Sequence, residues 1–186
     1  MRIGATPSQT VGPFFKIGLT RLCRDNLTTS DMPGERITIE GRVLDANGEP
    51  VSDALIETWQ ADVTGHYCGS EETVRKTSYD GFGRIPTDEN GAFRFTTIKP
   101  GRVMDLNGAK YAPHITVVVF MRGLLRHLVT RIYFAGDRDN DNDPVLAQVP
   151  MERRHTLLAN PTSSGGSGLE WNVILQGEQE TVFFDW

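Results

Sequence analysis

Cysteine is scarce in this sequence, basic charge is outnumbered, and no run of apolar residues is long. Among 186 residues there are two cysteines, Cys23 and Cys68. A pair is too few for a disulfide framework and lacks the spacing of a zinc site, so both are expected as free thiols in a reducing cytoplasm. Lysine and arginine number 19 against 24 aspartates and glutamates, a formal charge of -5. Such a balance offers no basic footprint for nucleic acid or an anionic membrane. The opening MRIGATPSQT has no apolar run to act as a signal peptide, and no later segment approaches transmembrane length. Catalytic motifs are equally thin. His66, His114, His127 and His155 show neither HExxH nor paired-cysteine spacing, and there is no G-x-S-x-G elbow and no phosphate-cradling glycine loop. A serine hydrolase and a nucleotide enzyme have no support.

What the chain has in quantity is short alternating runs. Ile37, Ile39, Gly41 and Val43 alternate with Thr38, Glu40 and Arg42, the period of a half-buried strand. Asn47-Gly48 supplies the positive φ of a tight hairpin, and its return strand is expected through Leu55 to Trp59. Asn90-Gly91 introduces a second unit, Phe93 to Ile98, stopped by Pro100-Gly101. His114 to Met121 and Leu128 to Phe134 carry the strongest β pattern, with Gly123 at the bend between them. Asp143-Pro144 reads as an N-cap followed by proline at the first helical position of a short helix. Pro161 to Gly168 reads as a flexible loop, and Trp171 to Leu175 and Thr181 to Phe184 as two last strands. Residues 1–33 differ, with little periodicity and with Pro7, Gly12, Pro13 and Gly18. They are expected as an arm over a surface, with one helical turn near Leu19 to Leu22. The pattern predicts an all-β fold, an antiparallel β-sandwich with an extended N-terminal arm and little helix, residues 1–186 forming one domain.

Candidate sites need weighing against plainer readings. Asp137, Asp139, Asp141 and Asp143 alternate like the first half of a calcium loop. Asn142 fills the glycine position and Gln148 the terminal carboxylate position, so the run reads as a solvated loop leading into a capped helix. More informative is an ordered set: Trp59-Gln60-Ala61-Asp62, Gly65-His66-Tyr67, Gly83-Arg84, Ile98-Lys99-Pro100-Gly101 and Pro113-His114-Ile115-Thr116. Singly, Tyr67 is as suited to packing as to ligation, and His114 to a hydrogen-bonded core position. Order and spacing carry the information.

That order resembles the intradiol ring-cleavage dioxygenases, whose members hold non-haem ferric iron with two tyrosines and a His-x-His pair. Histidines two apart on a strand share a face, and tyrosinates are hard anionic donors that favour ferric over ferrous iron. Tyr67 and His114 fall on the first tyrosine and first histidine positions. Val103 stands where the second tyrosine is due and Thr116 where the second histidine is due, while Tyr111 replaces an arginine three residues before the first histidine. The resemblance therefore implies a chain with four vestigial ligand positions, no iron of its own and no catalytic residue.

Both ends of the chain sharpen this. Thr6-Pro7-Ser8-Gln9-Thr10-Val11-Gly12-Pro13-Phe14 and Leu175-Gln176-Gly177-Glu178 with Glu180-Thr181-Val182-Phe183-Phe184-Asp185 are similar to the α chains of the two-chain members of the family. The resemblance implies a β-chain partner that carries the Fe(III), a larger αβ oligomer, and protocatechuate opened by dioxygen to 3-carboxy-cis,cis-muconate. It places Thr10, Gly12, Pro13 and Phe14 on an arm that walls the shared substrate pocket, and Arg122 beside that pocket. A Thr-x-Gly-Pro turn permits close backbone approach and is held rigid by its proline. The arm is otherwise a domain-swapped packing element and Arg122 a surface ion pair. Phe183, Phe184 and Trp186 are expected on a face buried against other subunits. Two other classes stay open: a non-enzymatic transthyretin-like β-sandwich module, and a self-sufficient iron dioxygenase with altered ligands.

Overall fold

The computed structural model describes residues 4–68, 79–163 and 166–185. The strands are β1 (Arg36–Leu44), β2 (Leu55–Gln60), β3 (Phe82–Pro86), β4 (Ala92–Ile98), β5 (Val103–Met104), β6 (Lys110–Tyr111), β7 (His114–Phe120), β8 (Leu128–Phe134), β9 (Leu158–Pro161), β10 (Gly168–Glu170) and β11 (Val173–Ile174). Among the described residues helix is confined to α1 (Pro13–Leu19) and short 3-10 turns. No helix among the described residues is long and apolar enough to cross a membrane. Cys23 and Cys68 are free thiols.

β3, β2, β7 and β8 lie side by side in antiparallel pairs. β9 continues that layer parallel to β8, β10 turns back antiparallel to β9, and β1 follows, so one sheet wraps almost onto itself. β4 lies antiparallel along Arg36 to Arg42 of β1. The apolar faces meet inside. Ile37, Ile39 and Val43 of β1 and Phe93 and Phe95 of β4 pack against Ile56, Ile115, Val117, Val119 and Ile132 of the opposing layer. The alternation read from the sequence thus places the expected side chains in the core of an all-β sandwich.

Several expectations are corrected. The sandwich is mixed, because the β1–β10, β1–β11 and β8–β9 ladders are parallel. Asp45 closes the Asn47-Gly48 turn by accepting the N–H groups of Asn47 and Glu49. Yet β2 is not the partner of β1, for pairing stops at the Leu44–Pro50 bridge and β2 joins the opposite layer against β3 and β7. The Val51 N–H still reaches the Val43 carbonyl at 2.9 Å, but the Val43 N–H donates to the Gly91 carbonyl just ahead of β4, so the ladder goes no further. The last β1-side strand is split: β10 ends at Glu170 and β11 begins at Val173. Between them the Trp171 carbonyl lies 1.7 Å from where a Cβ on Gly41 would sit, which is why β1 carries glycine there. Thr181 to Phe184 is no strand; Phe184 makes a single bridge to Val129. Phe183 and Phe184 are half-buried and pack inward on the core clusters, not on an exposed face. Trp186 lies outside the described residues. The helical turn foreseen near Leu19 is the end of α1 and a following 3-10 turn, and Pro13 occupies the start of that helix.

One buried carboxylate fixes the approach to β7. Asp143 is 1% exposed. It accepts the N–H of Ala112 at 2.8 Å, the hydroxyl of Tyr133 at 3.1 Å, and the N–H groups of Val145 and Leu146 at 2.9 and 2.8 Å. Asp143, expected as an N-cap, instead ends the preceding 3-10 turn two residues ahead of the cap Val145, and its side chain is a clamp joining the 3-10 turn Leu146–Gln148 to β8 and to the residue two before β7. Asp143→Ala orphans these donors and lowers stability by roughly 3 kcal/mol, read as a shift of the urea midpoint. An unchanged midpoint means the clamp is dispensable.

Candidate functional site

β7 has two faces. Ile115, Val117 and Val119 enter the core, so His114, Thr116, Val118 and Phe120 share the opposite face. The four positions expected as vestigial ligands, Tyr67, Val103, His114 and Thr116, belong to the His114 end. His114 is 2% exposed, and its Nδ1 lies 2.7 Å from the Ala112 carbonyl. A carbonyl oxygen only accepts, so Nδ1 bears the proton and Nε2 faces the Tyr67 hydroxyl, 3.3 Å away, as an acceptor. Burial first, and the charge of Arg131 second, push the His114 pKa down to about 4. Burial also raises the Tyr67 phenol, with Arg131 acting in the opposite direction. Val103 stands opposite Tyr111 in the β5–β6 ladder, and the Tyr111 and His114 rings are 6.4 Å apart. Thr116 is half-buried between Trp59 of β2 and Arg131 of β8 in the sheet register.

This donor set does not fit ferric iron. A neutral phenol is hydrogen-bonded to the one imidazole, valine and threonine occupy the other two positions, and an arginine adds positive charge. Among the described residues no group of three or more His, Cys, Asp or Glu is arranged to hold a metal. The acidic run is engaged elsewhere. Asp137 accepts from Lys99 at 2.9 Å and caps the 3-10 turn Arg138–Asn142, and Asp139 pairs with Arg102.

At the other end of β7 the arm comes down. Thr10 Oγ1 accepts the Gly123 N–H at 2.8 Å, next to Arg122, which forms an ion pair with Asp53. Gly12 is the N-cap of α1 and Pro13 its first residue. Phe14 is 80% exposed, whereas Phe15 packs on Phe120 with ring centres 5.2 Å apart. A Cβ on Gly12 would meet nothing of this chain, and its φ of -88° suits any residue. Neither strain nor packing within the chain demands glycine there. The structure therefore brings Thr10, Gly12, Pro13, Phe14 and Arg122 to one end and Tyr67, His114 and Thr116 to the other. His114 and Phe120 are six residues apart on one strand, roughly 20 Å.

Two contributors escaped the sequence reading. Lys16 donates 2.6 Å hydrogen bonds to the Ser52 and Thr87 carbonyls, anchoring the arm across two loops. Arg131 enters the vestigial centre only through the β7–β8 register, which sets it opposite Thr116. Its spacing to Tyr133, two along one strand, was the available signal.

The fold, the ordered tyrosine and histidine positions and the arm together define a class. A family model described as Dioxygenase matches residues 11–177, and the chain belongs to that family, the intradiol ring-cleavage dioxygenases. Over 97% of its length it is 41% identical to the protocatechuate 3,4-dioxygenase alpha chain of Burkholderia cepacia, of which it covers 96%. It is 34% identical to the protocatechuate 3,4-dioxygenase beta chain of the same organism, over 86% of this chain and 72% of the other. The solved dioxygenase domain of a dioxygenase carbohydrate-binding protein fusion from Streptomyces sp. SirexAA-E is similar with a TM-score of 0.65. The two are 28% identical, over 86% and 89% of their chains.

A neutral buried His114 makes stability pH-dependent. Its folded pKa, about 4, lies below the ordinary value of 6.5, so between these limits the unfolded chain binds the extra proton. The stabilisation is whole above pH 6.5 and is lost as pH falls toward 4, by on the order of 3 kcal/mol. Urea midpoints of the unsubstituted chain and of His114→Gln, compared from pH 7 to pH 4, should differ in slope by that amount. Parallel curves would mean the imidazole titrates normally.

Proposed function

We propose that this chain is the substrate-shaping, non-catalytic subunit of a two-chain protocatechuate 3,4-dioxygenase. The carrying observation is the division along β7, with a ligand set unfit for iron at one end and an ordered arm at the other. The partner is a β chain that holds Fe(III), and the pair opens protocatechuate with dioxygen to 3-carboxy-cis,cis-muconate. Ferric iron on the partner supplies the ring-opening chemistry. This chain supplies a wall: Thr10 ties the arm to Gly123, Pro13 sets the start of α1, and Gly12 presents bare backbone to the flat ring. Exposed Phe14 extends that wall. Arg122, one bond network away from Thr10, complements the substrate carboxylate or a partner acid, with Asp53 holding the guanidinium meanwhile. Phe14, Ile17 and Leu22, all exposed, extend the arm's apolar surface toward the partner and the larger αβ oligomer.

The family and the alpha-chain relatives count against a transthyretin-like module, and the donor set counts against a self-sufficient iron dioxygenase.

The reading is tested on the full chain purified alone and again co-expressed with the partner. Alone it should hold no iron and show no tyrosinate-to-iron absorption; together the two should be coloured and cleave protocatechuate. In that complex Gly12→Val should raise KM for protocatechuate about tenfold or more, since a buried clash of a few atoms costs 1–3 kcal/mol (roughly), with iron content unchanged. Stoichiometric iron and ring cleavage by the isolated chain would overturn the proposal.

A further inference from the structure

The vestigial centre contains a cation of its own. Arg131 projects from β8 beside Thr116, and its guanidinium carbon lies 5.7 Å from the centre of the Tyr111 ring. Its Nη1 lies 3.3 Å from the Tyr133 hydroxyl, which in turn donates to Asp143 at 3.1 Å. The charge also reaches the Tyr67 phenol and the His114 imidazole, on both of which it acts. A positive group is thus surrounded by three phenols and an imidazole, and is balanced through Tyr133 by a buried carboxylate.

We propose that the Arg131 guanidinium has taken over the vestigial ligand positions as a fixed structural cation, and that it excludes a metal ion from them even where the ligands are restored. The inference rests on the family membership and not on the pocket role of the arm, so either reading survives failure of the other. Two effects combine in it. A guanidinium repels a trivalent ion at close range in a water-poor site. It also favours the arrangement in which Tyr67 donates to a neutral His114, which occupies the imidazole nitrogen a metal would need.

The test restores the two missing donors in the full chain with Val103→Tyr and Thr116→His, and varies position 131. Iron per chain and the tyrosinate-to-iron absorption band are read relative to the unsubstituted chain prepared in the same way. With Arg131 in place, or with Arg131→Lys, iron should stay at the unsubstituted level. Adding Arg131→Gln, which keeps an N–H donor for Tyr133 but removes the charge, should tighten iron binding by roughly a hundredfold or more and bring up the band. Stoichiometric iron with Arg131 or Arg131→Lys present overturns the proposal, as does a folded Arg131→Gln triple variant that takes up none. A single substitution guards against misfolding of the triple variant. Arg131→His, in the otherwise unsubstituted chain, exchanges the cation for a donor beside Tyr67 and His114. It should bind Co2+ with visible absorption at least roughly a hundredfold tighter than the unsubstituted chain. Equal Co2+ affinity in the two chains overturns the proposal.

Discussion

The period-two alternation of β7 is the constraint on which the rest of the structure depends. Both edges of this strand are paired, to β2 on one side and β8 on the other, so its backbone has no freedom to slip. A shift of one residue would carry Ile115, Val117 and Val119 out of the core and bury His114, Thr116 and Val118 in their place. With the inner face fixed by hydrophobic burial, the outer face is fixed too, and it carries everything of functional interest. His114 and Thr116 stand at one end, and Phe120, on which the arm packs through Phe15, stands at the other.

The rings gathered at the His114 end leave a problem that the fold has to solve. Tyr67, His114, Tyr111 and Tyr133 are polar rings in a poorly hydrated corner, and each unsatisfied polar group there would cost about 1–3 kcal/mol. The solution is a closed set of hydrogen bonds. His114 gives its Nδ1 proton to Ala112 and accepts from Tyr67, while Tyr133 accepts from Arg131 and donates to Asp143. Asp143 also receives the Ala112 N–H, so the two halves meet at one residue. A change at the clamp therefore reaches the imidazole through a single peptide unit.

Much of this was readable before any coordinates. Alternation located the long strands because their burial is one-sided, and His114 with Thr116 had to share a face wherever the strand lay. Valine at 103 and threonine at 116 are visible from identity alone, and neither side chain offers an imidazole or a phenolate. What escaped depends on pairings between distant segments. The parallel ladders of β10 and β11 on β1 leave no local periodic mark, because each strand is two or three residues long. The false hairpin at Asn47-Gly48 shows the same limit: the turn chemistry was right, but the Val43 N–H is taken by Gly91 and the next strand crosses to the other layer. Phe183 and Phe184 looked like exposed surface since an apolar pair near a terminus has no pattern to reveal that it folds inward. Arg131 was invisible as part of the centre because only the β7–β8 register sets it against Thr116.

The two ends of β7 obey different rules. At the His114 end the imidazole, the Tyr67 and Tyr133 hydroxyls and the Asp143 carboxylate are answered from within the chain. At the arm end the intrachain accounts do not close. Gly12 is glycine where neither φ nor crowding asks for it, and Phe14 is held out at 80% exposure on a helix with no buried residue. Lys16 spends two hydrogen bonds on fixing that helix in place. An arm anchored so firmly, yet presenting an uncovered aromatic ring and bare backbone, makes physical sense when the surface it completes belongs to another chain.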